Sequence, residues 1–196
     1  MDGFYFYWAC WISWVLVTFF MQHSLARTLF ALAILLTICV SGFSVDLAGH
    51  RIFATVFLLA VIGYLFIFSS KRVGRGTFGS ICIGIGYAGL LLWELTNPVA
   101  LLLPRTLLFA LLLFALAFYL TRDMYLQIGI ICVGFAVGEV VYLFLLDVYG
   151  LYQEAGNFKA MDVLGVTMLL LIGAQLLYKL RHYLRKKSKW TAGSSS

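Results

Sequence analysis

Charge is what this chain lacks most. Only 11% of its 196 residues are Asp, Glu, Lys or Arg, less than half of the roughly 25% usual in a soluble domain. With 63% hydrophobic residues and a mean hydropathy of +1.00, it cannot clothe a water-facing surface. Lipid must be the solvent of most of it. At about 20 residues per membrane helix, the length allows six to eight spans and no soluble domain.

Other absences narrow the chemistry. Both prolines, Pro98 and Pro104, stand in the stretch NPVALLLPR, so no apolar run contains one. Many transporters break helices near the midplane to build their sites; here the proline that marks such breaks is missing. The three histidines, His23, His50 and His182, lie outside the apolar runs. There is no HExxH, no His/Cys cluster and no carboxylate-rich metal set. No run holds the Ser and His of an intramembrane protease, and no GxxxxGK[ST] phosphate loop occurs. A retinal protein needs a lysine in the middle of its last helix, and Lys179 stands at the end of this one. No metal or cofactor is therefore expected. The four cysteines, Cys10, Cys39, Cys82 and Cys132, all sit in apolar runs without a CxxC pair. They read as small buried residues. The first twenty residues lack the basic start and small-residue cleavage site of a secretory leader, so they read as an uncleaved first helix.

What is present is a succession of apolar runs. Spans are expected at about 4–21, 28–45, 52–69, 77–95, 106–120, 124–146 and 163–179. A basic segment, 180–190, follows. The closing TAGSSS, 191–196, reads as a disordered tail or a linker remnant. A segment in lipid must satisfy its own N–H and C=O groups, so each run is expected to be an α-helix. The fold class is all-α: one seven-helix membrane domain over residues 1–190.

Short loops rich in Lys and Arg stay on the cytoplasmic side. Eleven of the fourteen basic residues fall in the loop after span one, in KRVGRG, in TRD or in the tail. Arg51, Arg105 and Lys159 are the exceptions. The N-terminus is therefore expected outside and the C-terminus in the cytoplasm. Asp2, Asp46, Asp147, Glu154 and Asp162 mirror this on the outer side.

Ionisable groups within lipid are costly and attract functional suspicion. Glu139, in GFAVGEVVYLFLLD, stands eight residues before Asp147, roughly 12 Å inside the outer boundary at 1.5 Å per residue. It is either a proton or cation site, or a protonated glutamate hydrogen-bonded to a neighbouring helix. Gly134 and Gly138 form a GxxxG beside it, which permits close helix approach. Glu94, near the outer end of span four and on the face of Tyr87, can reach the interface by snorkelling. Gln127 and Gln175 suit helix-to-helix hydrogen bonds. Gly84-x-Gly86-x-x-Gly89 is formally GxGxxG, but that motif needs a strand before it and an aqueous phosphate. Ser80, Gly84 and the glycines after it are read instead as a packing face.

The tail KLRHYLRKKSKW places Arg181, Arg185, Lys186, Lys187 and Lys189 where they can meet anionic lipid of the inner leaflet. Nucleic acid is disfavoured as the partner of this short basic patch, because the anionic membrane surface that holds the patch carries the same charge as nucleic acid. The opening FYFYWACWISW raises a directional question. Phe4, Tyr7, Trp11, Trp14 and Thr18 form one helical stripe. An indole N–H as deep as that of Trp14 wants a partner, so Trp14, and with it Trp11, is expected to face the bundle. Ala9, Cys10 and Ser13, on the opposite side, offer a second possible contact face.

The opening MDGFYFYWACWISWV, seven short spans and a basic tail resemble the YphA-like membrane proteins of Bacillus and related Firmicutes. That resemblance implies a multi-pass protein of a bacterial cytoplasmic membrane. It implies no catalytic residue. Three functions compete. The first is a non-enzymatic protein that packs against a membrane-protein partner or organises lipid. The second is a small-solute or ion carrier using Glu139, with Glu94, the glutamines and the two tryptophans as candidate companions. A polar cavity reaching Glu139 would favour it. The third is an embedded lipid-modifying enzyme, which would need an outer cleft lined by Glu94, Asp147 and Glu154.

Overall fold

The computed structural model describes residues 2–47, 50–96, 104–151 and 154–193, and only the main chain at 26, 47, 179, 180 and 182–193. Seven helices account for most of it: α1 Phe4–Phe20, α2 Leu25–Val40, α3 Ala54–Ser69, α4 Val73–Thr96, α5 Arg105–Leu120, α6 Met124–Val148 and α7 Phe158–Gly193. Local chemistry sets their starts. The Ser24 hydroxyl accepts from the Arg27 amide at 3.3 Å, Asp123 Oδ1 from Tyr125 N at 3.2 Å, and Asn157 Oδ1 from Ala160 N at 2.9 Å. Each is a side-chain cap on otherwise orphaned amides. Pro104 precedes α5, where its fixed φ suits a helix start.

The sequence expectation of helices alone needs one correction. Strands β1, Ser44–Leu47, and β2, His50–Phe53, pair antiparallel with Val45 opposite Ile52 and Asp46 opposite Arg51. Span two therefore stops at Val40, where the chain turns at Ser41, and span three starts at Ala54 rather than at 52. Ala155 adds to the ladder: its N–H donates to Arg51 O and its C=O accepts from Phe53 N, both at 3.0 Å. At the other limit, α7 continues through the basic segment to Gly193. Residues 194–196 of the expected tail lie outside the described residues.

α6 is the central element, packed chiefly between α4 and α3, while α7 packs between α1 and α5. Small residues on two faces of α6 make this possible. A Cβ on Gly138 would stand 2.9 Å from Gly84 O, and one on Gly84 3.1 Å from Gly134 O. On the other face, Gly63 and Gly129 would each place a Cβ 2.9 Å from the other's carbonyl oxygen. Only glycine allows such backbone contact, and close packing is what drives helix association in lipid. Ser80 completes the α4 face, its hydroxyl donating to Gly76 O at 2.9 Å within its own helix. Gly89 meets nothing within 4 Å, so the packing face does not extend to it as the sequence suggested.

The strand pair, the α6–α7 connection and the start of α1 gather at one end, called here the strand end. Asp162 of α7, 5% exposed, binds α1 there. Its Oδ2 accepts from Gly3 N at 2.9 Å and its Oδ1 from Phe6 N at 2.7 Å. Gly3 is the N-cap of α1 and has no side chain to offer. In a capping box, one side chain serves the N3 amide and another the N-cap amide. Here a single carboxylate from another helix serves both.

Candidate functional site at the strand end

Glu139 projects from α6 and is 3% exposed. Its Oε1 accepts from the Tyr87 hydroxyl at 2.8 Å, across the α4–α6 contact made close by Gly84 and Gly138. Its Oε2 accepts from the main-chain N–H of Gly156 at 2.7 Å. Gly156 has φ +74°, and a Cβ there would run into Val56; the left-handed backbone suits glycine. Glu139 thus ties α4 to the α6–α7 connection, which the ladder through Ala155 ties to β2. Both oxygens of the Glu139 carboxylate are engaged, as buried polar groups require.

Above this clamp lies a cleft of about 310 Å³ lined by Glu94, Arg105, Glu139, Tyr142, Glu154 and Asn157, with Leu91, Leu95 and Ala160 as apolar wall. Arg105 Nε stands 2.9 Å from Glu94 Oε2, the two side chains being 30% and 21% exposed. The approach is an ion pair outside hydrogen-bond angles. The guanidinium also lies over the Phe109 ring, 5.8 Å from its centroid. Glu154 is held at the rim by Arg51, at 3.2 Å.

The sequence-predicted residues divide accordingly. Glu139 and Glu94 share the cleft. Gln175 lies elsewhere: its Nε2 donates to Gln127 Oε1 at 3.0 Å, and Gln127 Nε2 donates to Thr121 O at 2.7 Å, a polar link between α6 and α7. Asp147 does not line the cleft, and pairs with His50 at 3.2 Å. Trp11 corrects the sequence expectation, since it is 50% exposed. Trp14 is half-buried against it, ring centroids 5.9 Å apart, and its indole N–H has no partner among the described residues. The buried side of α1 carries Phe6, Ala9 and Ser13 and neither tryptophan. Gly165 of α7 meets it so closely that a Cβ there would lie 3.0 Å from Phe6 Cα. Neither tryptophan lines the cleft. Arg181 is exposed, and the side chains of Arg185, Lys186, Lys187 and Lys189 lie outside the described residues.

Sequence reasoning gave Gly156, Arg105, Tyr142 and Asn157 no part in the site. Gly156 acts through its amide, which carries no side-chain signature. Arg105 could have been found, as one of three basic residues on an otherwise acidic side.

The profile of YphA-like integral membrane proteins matches residues 2–195. The chain belongs to this family. A curated protein of Bacillus subtilis (strain 168), uncharacterized protein YphA, is 26% identical over 193 residues, which cover 96% of this chain and 95% of the relative. No solved structure matches the chain. Membership among YphA-like proteins accords with helices Val73–Thr96, Met124–Val148 and Phe158–Tyr178, each long and apolar enough to cross a bilayer. The other four helices of this YphA-like protein are apolar but shorter.

Proposed function

We propose that this protein is a non-enzymatic, seven-span component of a bacterial cytoplasmic membrane, strand end outside and C-terminus inside, that works by binding rather than by transport or catalysis. The observation that carries this reading is the double engagement of Glu139 by Tyr87 and Gly156. A carrier must load and unload its site, whereas this carboxylate is built into the architecture.

The shorter helices, 16 or 17 residues each, sit at the low end of the roughly 17–25 residues a span needs. They stand beside the long ones in the same bundle, which supports reading them as spans. The acidic strand end and the basic opposite end support the orientation. α7, at 36 residues, is about 54 Å long and outruns a hydrocarbon core of about 30 Å. Its last turns, with Arg181, Arg185, Lys186, Lys187 and Lys189, would lie against anionic inner-leaflet lipid. A membrane-protein partner would dock on the lipid-facing surface.

One observation favours the carrier: the cleft does reach Glu139. For the lipid-modifying enzyme, Glu94 and Glu154 meet in that cleft without Asp147. None of its described lining residues is a Ser, Cys, His or Lys, the side chains that acyl and phosphoryl chemistry most often use. The deciding experiment reconstitutes wild type and Glu139→Gln in liposomes and follows proton, cation and small-solute flux. No flux above that of protein-free liposomes is expected from either, and an equal flux from both would mean transport that does not use Glu139. A flux that Glu139→Gln abolishes, in a variant that melts as the wild type does, would hand the function to the carrier. An impermeant maleimide should label Tyr149→Cys in intact cells and Gly74→Cys only after lysis; the reverse pattern would invert the orientation.

A further inference from the structure

We propose that the strand-end cleft binds a small zwitterion, a primary ammonium joined to an oxyanion, as carried by an ethanolamine phospholipid headgroup or by a free amino acid or phosphoethanolamine. The proposal goes beyond the non-enzymatic reading, and its test does not depend on orientation.

The oxyanion half follows from Arg105. One edge of its guanidinium faces Glu94 and one face covers Phe109. Its terminal nitrogens have no partner among the described residues. The fork is thus fixed in place with its amino edge unused, the geometry that takes a phosphate or carboxylate in bidentate fashion. Asn157 adds a donor. Its Oδ1 is committed to the Ala160 amide, which leaves its NH₂ group for an acceptor.

The ammonium half follows from the charge balance. Among the described residues three carboxylates, Glu94, Glu139 and Glu154, line the cleft, against two guanidiniums, Arg105 within it and Arg51 at its rim, which leaves one negative charge in excess. Glu94 and Glu154 each use one oxygen in an ion pair, and their second oxygens have no partner among the described residues. A primary ammonium brings three donors to such acceptors. A quaternary ammonium brings none and is recognised by aromatic cages, whereas Tyr142 is the sole aromatic among the described lining residues. The cleft therefore selects ethanolamine-type over choline-type heads. Its volume of about 310 Å³ is at the lower end of small-molecule sites, and the two side chains of the Glu94–Arg105 pair are mostly out of water, where charge recognition is stronger than at an open surface.

The test uses the purified full chain. Retention of phosphatidylethanolamine, phosphatidylcholine and phosphatidylglycerol is read by native mass spectrometry, and melting-temperature shifts are read with free phosphoethanolamine, glycine and choline phosphate. Preference for the primary ammonium over its choline counterpart by about tenfold is expected, the scale of one well-placed charged hydrogen bond. A lipid preference with no shift from the free compounds assigns the site to the headgroup. A shift from the free compounds without lipid preference assigns it to a soluble zwitterion. Glu154→Gln, at an exposed pair of little structural weight, and Arg105→Lys, which keeps the charge beside Glu94 but loses the fork, should each weaken that preference several-fold while melting within a few degrees of wild type. Equal binding of ethanolamine and choline compounds overturns the proposal. So does preference for phosphatidylglycerol, or a preference that both variants leave intact.

Discussion

Glu139 Oε2 lies 2.7 Å from the amide nitrogen of Gly156, so this buried carboxylate holds a loop as well as the Tyr87 side chain. That contact exists only because Gly156 adopts φ +74° beside Val56. Gly156→Ala should therefore cost about 2 kcal/mol or more, from left-handed strain and from the collision with Val56. Val56→Ala opens space for the new methyl but cannot relieve the strain. The double variant should lose less than the sum of the single losses, by about 1 kcal/mol. Denaturation of the four proteins in one detergent measures this; strict additivity would mean that the loop moves away from Val56.

A second prediction separates two glycines that look alike in sequence. Gly138 faces Gly84 O, with a Cβ there only 2.8 Å from Tyr87 Cδ1, while Gly89 meets nothing within 4 Å. Gly138→Ala should part α4 from α6 and destabilise by about 1–3 kcal/mol. Gly89→Ala should be neutral or stabilise by up to about 1 kcal/mol, through helix propensity alone. The same unfolding assay reads both, and a costly Gly89→Ala would place a partner against that face.

The third concerns the N-terminal tryptophans. Trp11 is 50% exposed and Trp14 half-buried. In bilayers of brominated lipid, Trp11→Phe should remove more of the quenchable fluorescence than Trp14→Phe. The opposite order would mean that α1 is rotated in the membrane.

The apolar runs made the seven helices legible, because a long apolar run satisfies its own backbone N–H and C=O groups as a helix. Glu139 was legible too, since an isolated acid in an apolar run stands out. Its partners were not. Gly156 contributes an amide that every residue but proline has, and Tyr87 lies 52 positions away. The strands at 44–47 and 50–53 escaped notice because four residues around DLAGHR carry too little alternation to outweigh a loop reading. The direction of α1 was misread for a further reason. An aromatic stripe and a small-residue stripe lie on opposite sides of one helix, and lipid accepts the aromatic one as readily as a protein core does. What decided the matter was Gly165, on a helix more than 150 residues downstream, whose missing side chain lets α7 meet the main chain of Phe6 and the Cβ of Ala9.

The cap on α1 has a consequence for how the chain is made. The carboxylate that finishes the first helix is 159 positions beyond Gly3. At about 5–20 residues per second, translation reaches Asp162 on the order of ten seconds or more after α1 has formed. Through that interval the leading end of α1 has no permanent acceptor for two of its amides. Assembly of this protein therefore ends where synthesis began, and a nascent chain halted before α7 leaves its first helix unlatched.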